Sequence, residues 1–94
     1  MKSSNYLLEC CVDSAYSARM AKKGGADRLE LCSNLVIGGT TPTLALYEQI
    51  RTQIDIRIHA LIRPRFGDFL YSEDEAALIC KEIDAFRAAG ADGV

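Results

Sequence analysis

Two short segments of this 94-residue sequence carry the same pattern of chemically useful side chains. Each has the sequence Leu-Glu-x-Cys, at residues 8–11 and at residues 29–32, and each lies within an apolar run. Because side chains alternate between the two faces of a strand, Glu9 shares a face with Cys11, and Glu30 shares a face with Cys32. The repeat therefore predicts that two neighbouring strands each place a carboxylate and a thiol on the same side of a sheet.

Thiolate sulfurs are ligands for soft metal ions, and Cu(I) can be held by as few as two of them. Structural zinc takes four ligands, and the four cysteines lack the C-x-x-C spacing of zinc ribbons and thioredoxin-type redox sites. Cys11 and Cys32 are therefore the candidate metal ligands, with copper as the candidate metal. The alternative is that both are buried packing residues, as free cysteines often are. For Cys10 and Cys80, which fall on outward or helical faces, we expect packing alone.

A second set of ionisable residues indicates a small-molecule site. His59 would act as a general base, Arg63 would hold a carboxylate or phosphate, and a glutamate would serve as acid or base. The loop at residues 63–71 adds an arginine, a glycine and an aspartate suited to anion recognition. The candidate substrate-binding residues are Glu9, Glu30, His59, Arg63, Arg65 and Asp68. No catalytic residue is assigned, and the sequence does not decide whether the protein is an enzyme.

These charged residues also have a structural interpretation. Burying a charge is costly unless it is paired, so Glu9 and Glu30 are expected to meet Arg57, Arg63 or His59 in a network of ion pairs that fills the centre of the fold. The choice between a substrate site and such a network stays open at this point.

Two glycine-containing loops also admit two interpretations each. Residues 63–71 suit anion recognition, or form a lid in which Phe69 and Tyr71 pack over the site while Asp68 holds an arginine. Residues 38–42, Gly-Gly-Thr-Thr-Pro, offer backbone N–H groups to an anion at a helix start, or simply cap that helix.

Strands and helices alternate along the whole chain. Strands are predicted at residues 6–12, 28–32 and 56–62 from their apolar and β-branched content. A first helix over residues 15–23 follows Ser14 as its N-cap, and a second begins with Thr41 as N-cap and Pro42 at its first position and extends to about Gln53. The third begins with a capping box, Ser72 and Glu75, and ends at Gly90.

Repeated strand-helix units give a parallel sheet, flat or closed into a barrel. The tripeptide Gly-Ala-Asp precedes the second strand at residues 25–27, and recurs at residues 90–92 before the predicted start of a fourth. A (β/α)8 barrel takes roughly 250 residues, or about 31 per unit. We therefore expect residues 1–94 to be the N-terminal part of a single, incomplete α/β domain: the first three β/α units of a TIM-type barrel and the start of strand four. The residues facing its centre would be Glu9, Cys11, Glu30, Cys32, His59 and Arg63.

Composition excludes several classes of function. A net charge of −2 without clustered Lys and Arg gives no basis for binding nucleic acid or an anionic membrane. The longest uncharged stretch, residues 31–47, is broken by glycines, threonines and a proline, so no transmembrane helix is predicted. Met1 to Asn5 show no signal region, which predicts a cytoplasmic protein with reduced thiols.

Several segments in series resemble the CutC copper homeostasis family, from about residue 7 to residue 94. They are Leu-Glu-Cys-Cys-Val-Asp-Ser at 8–14, the stretch at 24–33, Gly-Gly-Thr-Thr-Pro at 38–42, and Ile-Arg-Pro-Arg at 62–65 followed by residues 67–72. The resemblance implies a TIM-type barrel more than twice this length and a role in copper homeostasis. Two family cysteines proposed as Cu(I) ligands correspond to Cys11 and Cys32. The sequence departs from the family at Cys10, where an aliphatic residue is frequent, and at Phe66, where glycine is common.

Two functions follow as expectations. The first is a cytoplasmic copper homeostasis protein that binds Cu(I) through the pair of strand cysteines. The second is a TIM-barrel enzyme of unknown reaction that acts on a small anionic metabolite. The expected partners are a copper ion, a small anionic ligand and further copies of the same chain in a homo-oligomer.

Overall fold

The computed structural model describes residues 5–94, in which three strands alternate with three α-helices. In chain order they are β1 (Glu9–Val12), α1 (Ala15–Lys23), β2 (Arg28–Leu31), α2 (Leu44–Gln53), β3 (Arg57–Ala60) and α3 (Glu73–Ala88), with a 3-10 helix at Leu35–Ile37. The strands form one parallel sheet in the order β1-β2-β3, as the alternation predicted. Residues 1–4, on which the predicted absence of a signal region rests, lie outside the described part. Within residues 5–94 no helix has the length and apolar character needed to cross a membrane.

The helices cover one face of the sheet. Alternate strand residues are buried there against helical side chains, and the resulting core contains Val12, Ala18, Leu29, Leu31, Tyr47, Ile50, Ile58, Ala60 and Phe86. Fully burying a leucine, isoleucine or phenylalanine contributes about 1.5–3 kcal/mol, so this face drives folding. The opposite face carries Glu9, Cys11, Arg28, Glu30, Arg57 and His59, and is called the open face below. For the residues within the three strands, the predicted sorting of side chains between the two faces is confirmed.

A fourth strand begins beside β3. Gly93 pairs with His59 in the parallel sense. The backbone N–H of Asp92 donates to the carbonyl of Ile58 at 3.0 Å, and the N–H of Ala60 donates to the carbonyl of Gly93 at 3.0 Å. The prediction of a strand starting at residues 92–94 is therefore confirmed.

The repeated Gly-Ala-Asp tripeptides adopt the same structure. Gly25 and Gly90 both end a helix in the left-handed region, with φ of 103° and 95°, where a missing Cβ avoids strain. The carboxylates of Asp27 and Asp92 then each accept a backbone hydrogen bond: one from the N–H just before β1, at 2.8 Å, and one from an N–H of β3, at 2.9 Å. Each aspartate thus fixes the start of a new strand against the neighbouring strand. The repeated tripeptide is therefore also a structural repeat.

Helix α2 begins later than predicted. Its N-cap is Thr43, whose hydroxyl accepts the N–H of Leu46 at 3.1 Å, and the first helical residue is Leu44. Thr41 instead pairs with Arg63: its N–H donates to the Arg63 carbonyl at 2.9 Å, and its hydroxyl accepts the Arg63 N–H at 2.8 Å. The prediction of Thr41 as N-cap and Pro42 as first helical residue was wrong because this long-range contact holds Thr41 outside the helix.

The other helix signals are confirmed. Helix α1 has the predicted bounds, and the Ser14 hydroxyl accepts the N–H of Ser17 at 3.0 Å. Ser72 and Glu75 form both hydrogen bonds of the capping box at the start of α3, at 2.9 Å and 3.2 Å. The three strands are shorter than predicted, each spanning four residues.

Candidate functional site

One row of side chains crosses the open face from strand to strand. In the sheet register Cys11 lies beside Glu30, Glu30 beside His59, and His59 beside Gly93. The thiol of Cys11 donates a hydrogen bond to Oε1 of Glu30 at 3.1 Å. Strand pairing therefore brings together a thiol, a carboxylate and an imidazole that are separated by 19 and 29 residues in the sequence.

The Cys11 thiol is held in its protonated form. Its hydrogen bond to the Glu30 carboxylate, reinforced by burial and by the negative charge of Glu30, raises the pKa of Cys11 from 9.0 to about 11. A thiol with this pKa is almost wholly protonated near neutral pH, so it binds a metal ion only by giving up its proton. Cys11 is nevertheless exposed to solvent.

Cys32 follows β2 and is buried, with 1% of its surface exposed. Its thiol points to the carbonyl of Val12 at 3.6 Å. A Cβ on Gly39 would lie 3.6 Å from Sγ of Cys32 and 2.8 Å from a methyl of Leu61, so the loop backbone packs directly over the thiol. Burial, followed by the charges of Cys11 and Glu30, raises the pKa of Cys32 to about 11.

The sulfur donors set limits on the metal that could bind here. Within residues 5–94 no group of three or more His, Cys, Asp and Glu side chains has the geometry to hold a metal ion. Tetrahedral zinc needs four ligands, whereas two sulfurs suffice for Cu(I). Cys11 and Cys32 thus fit a two-coordinate Cu(I) ion by the chemistry of their donor atoms.

The predicted ion pairs of the two glutamates are wrong. Glu9 pairs with Arg28, its register neighbour on β2, at 2.6 Å. Glu30 accepts the Cys11 thiol instead of pairing with Arg57, Arg63 or His59. Charge alone does not determine which residues pair. The strand register places Arg28 directly beside Glu9.

Arg63 joins two loops rather than facing an open pocket. Its guanidinium donates to the carbonyls of Ile37 and Gly39 at 3.1 and 2.9 Å, and to that of Gly67 at 3.1 Å. It also lies 5.2 Å from the centre of the Phe69 ring. These contacts tie the loop after β2 to the loop after β3, which leaves few donors for a substrate anion.

Arg65 is also occupied by intramolecular contacts. Its guanidinium binds the carboxylate of Glu75 and, at 3.2 Å, that of Asp68, and it lies 5.1 Å from the centre of the Tyr71 ring. The hydrogen bond from Arg65 holds the pKa of Glu75 below its usual value. The contact between Asp68 and an arginine agrees with the lid interpretation of this loop. Phe69 and Tyr71 pack edge to face, with ring centres 6.5 Å apart, and Phe69 remains largely exposed.

The backbone N–H groups of residues 38–41 do not form an anion seat. Those of Gly38 and Gly39 donate to carbonyls of Leu35 and Asn34, and those of Thr40 and Thr41 donate to carbonyls of Ser33 and Arg63. All four are satisfied within the fold, and none belongs to helix α2. The glycines instead give the loop its left-handed turns, with φ of 92° at both.

The remaining cysteines differ from each other. Cys10 is half-buried and packs against the core, as predicted. Within residues 5–94 Cys80 is exposed, so the prediction that it is a packing residue was wrong. All four cysteines are free thiols.

A surface groove lies away from these residues. It has a volume of about 520 Å³ and is lined by Arg19, Met20, Lys22, Lys23 and Ile54, at the C-terminal ends of α1 and α2. Parallel strands run the opposite way to the helices that connect them, so this is the end where the strands begin. The thiols lie toward the C-terminal ends of the strands, where the functional sites of parallel α/β folds are found.

Comparison with known proteins identifies the family of this sequence. The model of the CutC family matches residues 6–94. The chain belongs to the CutC family.

A human relative and a solved structure carry names that refer to copper homeostasis. A human copper homeostasis protein cutC homolog is 45% identical over 92 residues, which cover 98% of this chain and 34% of the human protein. A CutC family protein of Porphyromonas gingivalis is 47% identical over 87 residues, covering 93% of this chain and 35% of that protein. The chain thus spans about a third of the length of these curated relatives. A crystal structure of a putative copper homeostasis protein CutC from Streptococcus agalactiae superposes with a TM-score of 0.80 at 28% identity, covering 94% of this chain and 44% of the other.

Proposed function

We propose that this chain is part of a cytoplasmic copper homeostasis protein that binds one Cu(I) ion through Cys11 and Cys32. The observation that carries the proposal is the twinned Glu-x-Cys pattern on neighbouring strands, which offers two sulfur donors from one side of the sheet. The name of a human relative, a copper homeostasis protein cutC homolog, also supports it. Two soft sulfur donors match the coordination that Cu(I) accepts.

We further propose that the three β/α units belong to a TIM-type (β/α)8 barrel, with the open face turned toward its centre. The parallel sheet, the helices packed on one face and the parallel start of a fourth strand all support this closure. In such a barrel the site lies at the C-terminal ends of the strands, where Cys11 and Cys32 stand.

Binding at these thiols would be coupled to proton release. Both have a pKa of about 11, so each is protonated near neutral pH and each loses its proton when sulfur bonds to copper. Cys11 is accessible to an incoming ion, whereas Cys32 lies under the Gly39 backbone. We infer that copper meets Cys11 first and that the loop after β2 must shift for Cys32 to complete the site.

The alternative function, an enzyme for a small anionic metabolite, has less support. Arg63 and Arg65, its predicted anion ligands, are bound to carbonyls and carboxylates within the fold. His59 and Glu30 face the same side as the thiols and would be shared with the copper site.

An anaerobic Cu(I) competition titration against a chromophoric chelator tests the proposal. We expect one tight equivalent in the protein, and a loss of affinity of at least about 100-fold in Cys11→Ser and in Cys32→Ser, since removing a ligand exceeds the effect of disturbing its support. Cys80→Ser is the matched control, because that thiol is exposed on α3, and it should bind as the unaltered protein does. Equal affinities in all four proteins would show that the strand cysteines are packing residues.

A further inference from the structure

The imidazole of His59 lies against Gly93. A Cβ built on Gly93 would stand 2.8 Å from Nε2, 3.0 Å from Cδ2 and 3.0 Å from Cε1 of His59. Real Cβ atoms do not approach neighbours this closely, so the ring occupies the space that a side chain at position 93 would need. Three ring atoms share the contact, so the ring as a whole would have to move.

Backbone conformation does not require glycine at this position. Gly25, Gly38, Gly39, Gly67 and Gly90 all have positive φ, where other residues are strained. Gly93 is not among them, and its backbone sits in the ordinary pairing of a parallel strand. The proximity of His59 is therefore the feature that sets position 93 apart.

The position of the imidazole affects the rest of the row. His59 and Glu30 are register neighbours on adjacent strands, yet within residues 5–94 the imidazole of His59 makes no hydrogen bond. The carboxylate of Glu30 instead accepts the thiol of Cys11. The ring lies against the fourth strand at Gly93, on the opposite side of β3 from Glu30.

We propose that Gly93 is a positioning residue for the copper site. Because it has no side chain, the His59 imidazole can lie over the fourth strand, which keeps the space beside Cys11 and Glu30 open. A side chain at position 93 pushes the ring toward Glu30, where it crowds that space and competes with Cys11 for the carboxylate. The proposal rests on the proposed function in assigning the row to a copper site. The place of the ring itself is independent of copper.

The first test examines the ring without metal. NMR of protein labelled with 15N at histidine reports the ring of His59, the single histidine of the chain. We expect Gly93→Ala to shift the ring resonances, whereas Gly24→Ala leaves them unchanged. Gly24 is the matched control because it has an ordinary negative φ of −79° and its added Cβ would come no nearer than 3.4 Å to another atom. Ring resonances that are the same in Gly93→Ala and the unaltered protein would overturn the proposal, whatever the copper result.

The second test is a double-mutant cycle on Cu(I) affinity. We expect Gly93→Ala to weaken binding about tenfold, as disturbed support of a metal site commonly does, and to have no effect in a His59→Ala background. Equal weakening in both backgrounds would mean that Gly93 acts without His59, which contradicts the proposal. If the single variant does not fold, recovery of folding in the double variant supports the contact and continued failure opposes it. Absence of Cu(I) binding by the unaltered protein would reject the proposed function alone, and the NMR test would still decide the role of Gly93.

Discussion

The two Glu-x-Cys repeats have the same spacing and very different surroundings. Cys11 is exposed and donates its thiol hydrogen to Glu30, whereas Cys32 is buried beneath the loop that carries Gly39. Both have a pKa of about 11, but for Cys11 the first cause is the hydrogen bond to a carboxylate, and for Cys32 it is burial.

This difference shows that separate parts of the fold control where a thiol lies and how accessible it is to solvent. Strand alternation determines that both thiols belong to the same side of the sheet, because the side-chain period is two. The loops that follow the strands determine access: a short turn leads from β1 to α1, and a longer loop with a 3-10 helix follows β2. Access to Cys32 therefore depends on the loop, whereas the reactivity of Cys11 depends on Glu30.

The largest expected contrast is in thiol accessibility. With a small disulfide reagent at about pH 8, we expect Cys32 to react at least about 100-fold more slowly than Cys11, which corresponds to a local opening free energy of about 3 kcal/mol. The two pKa values are alike, so the difference reports burial. Mass spectrometry of each modified peptide over time gives the two rates. Similar rates would show that the loop does not protect Cys32 in solution.

The next contrast concerns the carboxylate. Glu30→Gln removes the negative charge beside Cys11, so its pKa should fall from about 11 toward 9.0 and its thiolate fraction near pH 8 should rise. A higher thiolate fraction is partly offset by the weaker nucleophilicity of a less basic sulfur, so we expect its rate with the same reagent to rise about threefold to tenfold. Glu9→Gln is the control, because Glu9 is paired with Arg28 and affects Cys11 less. An unchanged Cys11 rate in Glu30→Gln would mean that the hydrogen bond does not hold the proton.

The smallest expected effect is on the loop over Cys32. Gly39→Ala introduces both a left-handed alanine and a Cβ at 2.8 Å from Leu61, whereas Gly25→Ala introduces the left-handed alanine alone, with nothing within 4 Å of its Cβ. We expect Gly39→Ala to lower the free energy of unfolding by about 1 kcal/mol more than Gly25→Ala does, because of overpacking. Chemical denaturation measures both. Equal losses would show that the loop accommodates the added methyl and does not pack tightly on the thiol.

Much of the fold could be predicted from the sequence because its signals are local. The capping box at Ser72 and Glu75, the cap at Ser14 and the strand alternation each depend on residues a few positions apart. The repeated Gly-Ala-Asp also predicted two equivalent turns, although not the hydrogen bonds that Asp27 and Asp92 make to the preceding strands.

The contacts that shape the site could not be predicted because they join distant residues. The sequence predicts that Arg63 binds substrate, yet its guanidinium binds carbonyls of two loops. Its backbone pairing with Thr41 keeps that residue outside α2. Gly93 gave no signal at all, since a glycine in a short strand start shows its meaning only when the neighbouring His59 ring is placed beside it.

X-ray absorption spectroscopy at the copper edge reports whether Cys11 and Cys32 hold one Cu(I) ion together. The sample is the Cu(I)-loaded protein carrying Cys10→Ser and Cys80→Ser, in which only the two strand thiols remain. We expect two sulfur atoms as the nearest neighbours of the copper, and one bound copper per chain. A shell made of nitrogen or oxygen atoms, or copper retained when Cys11 and Cys32 are also replaced by serine, would contradict it.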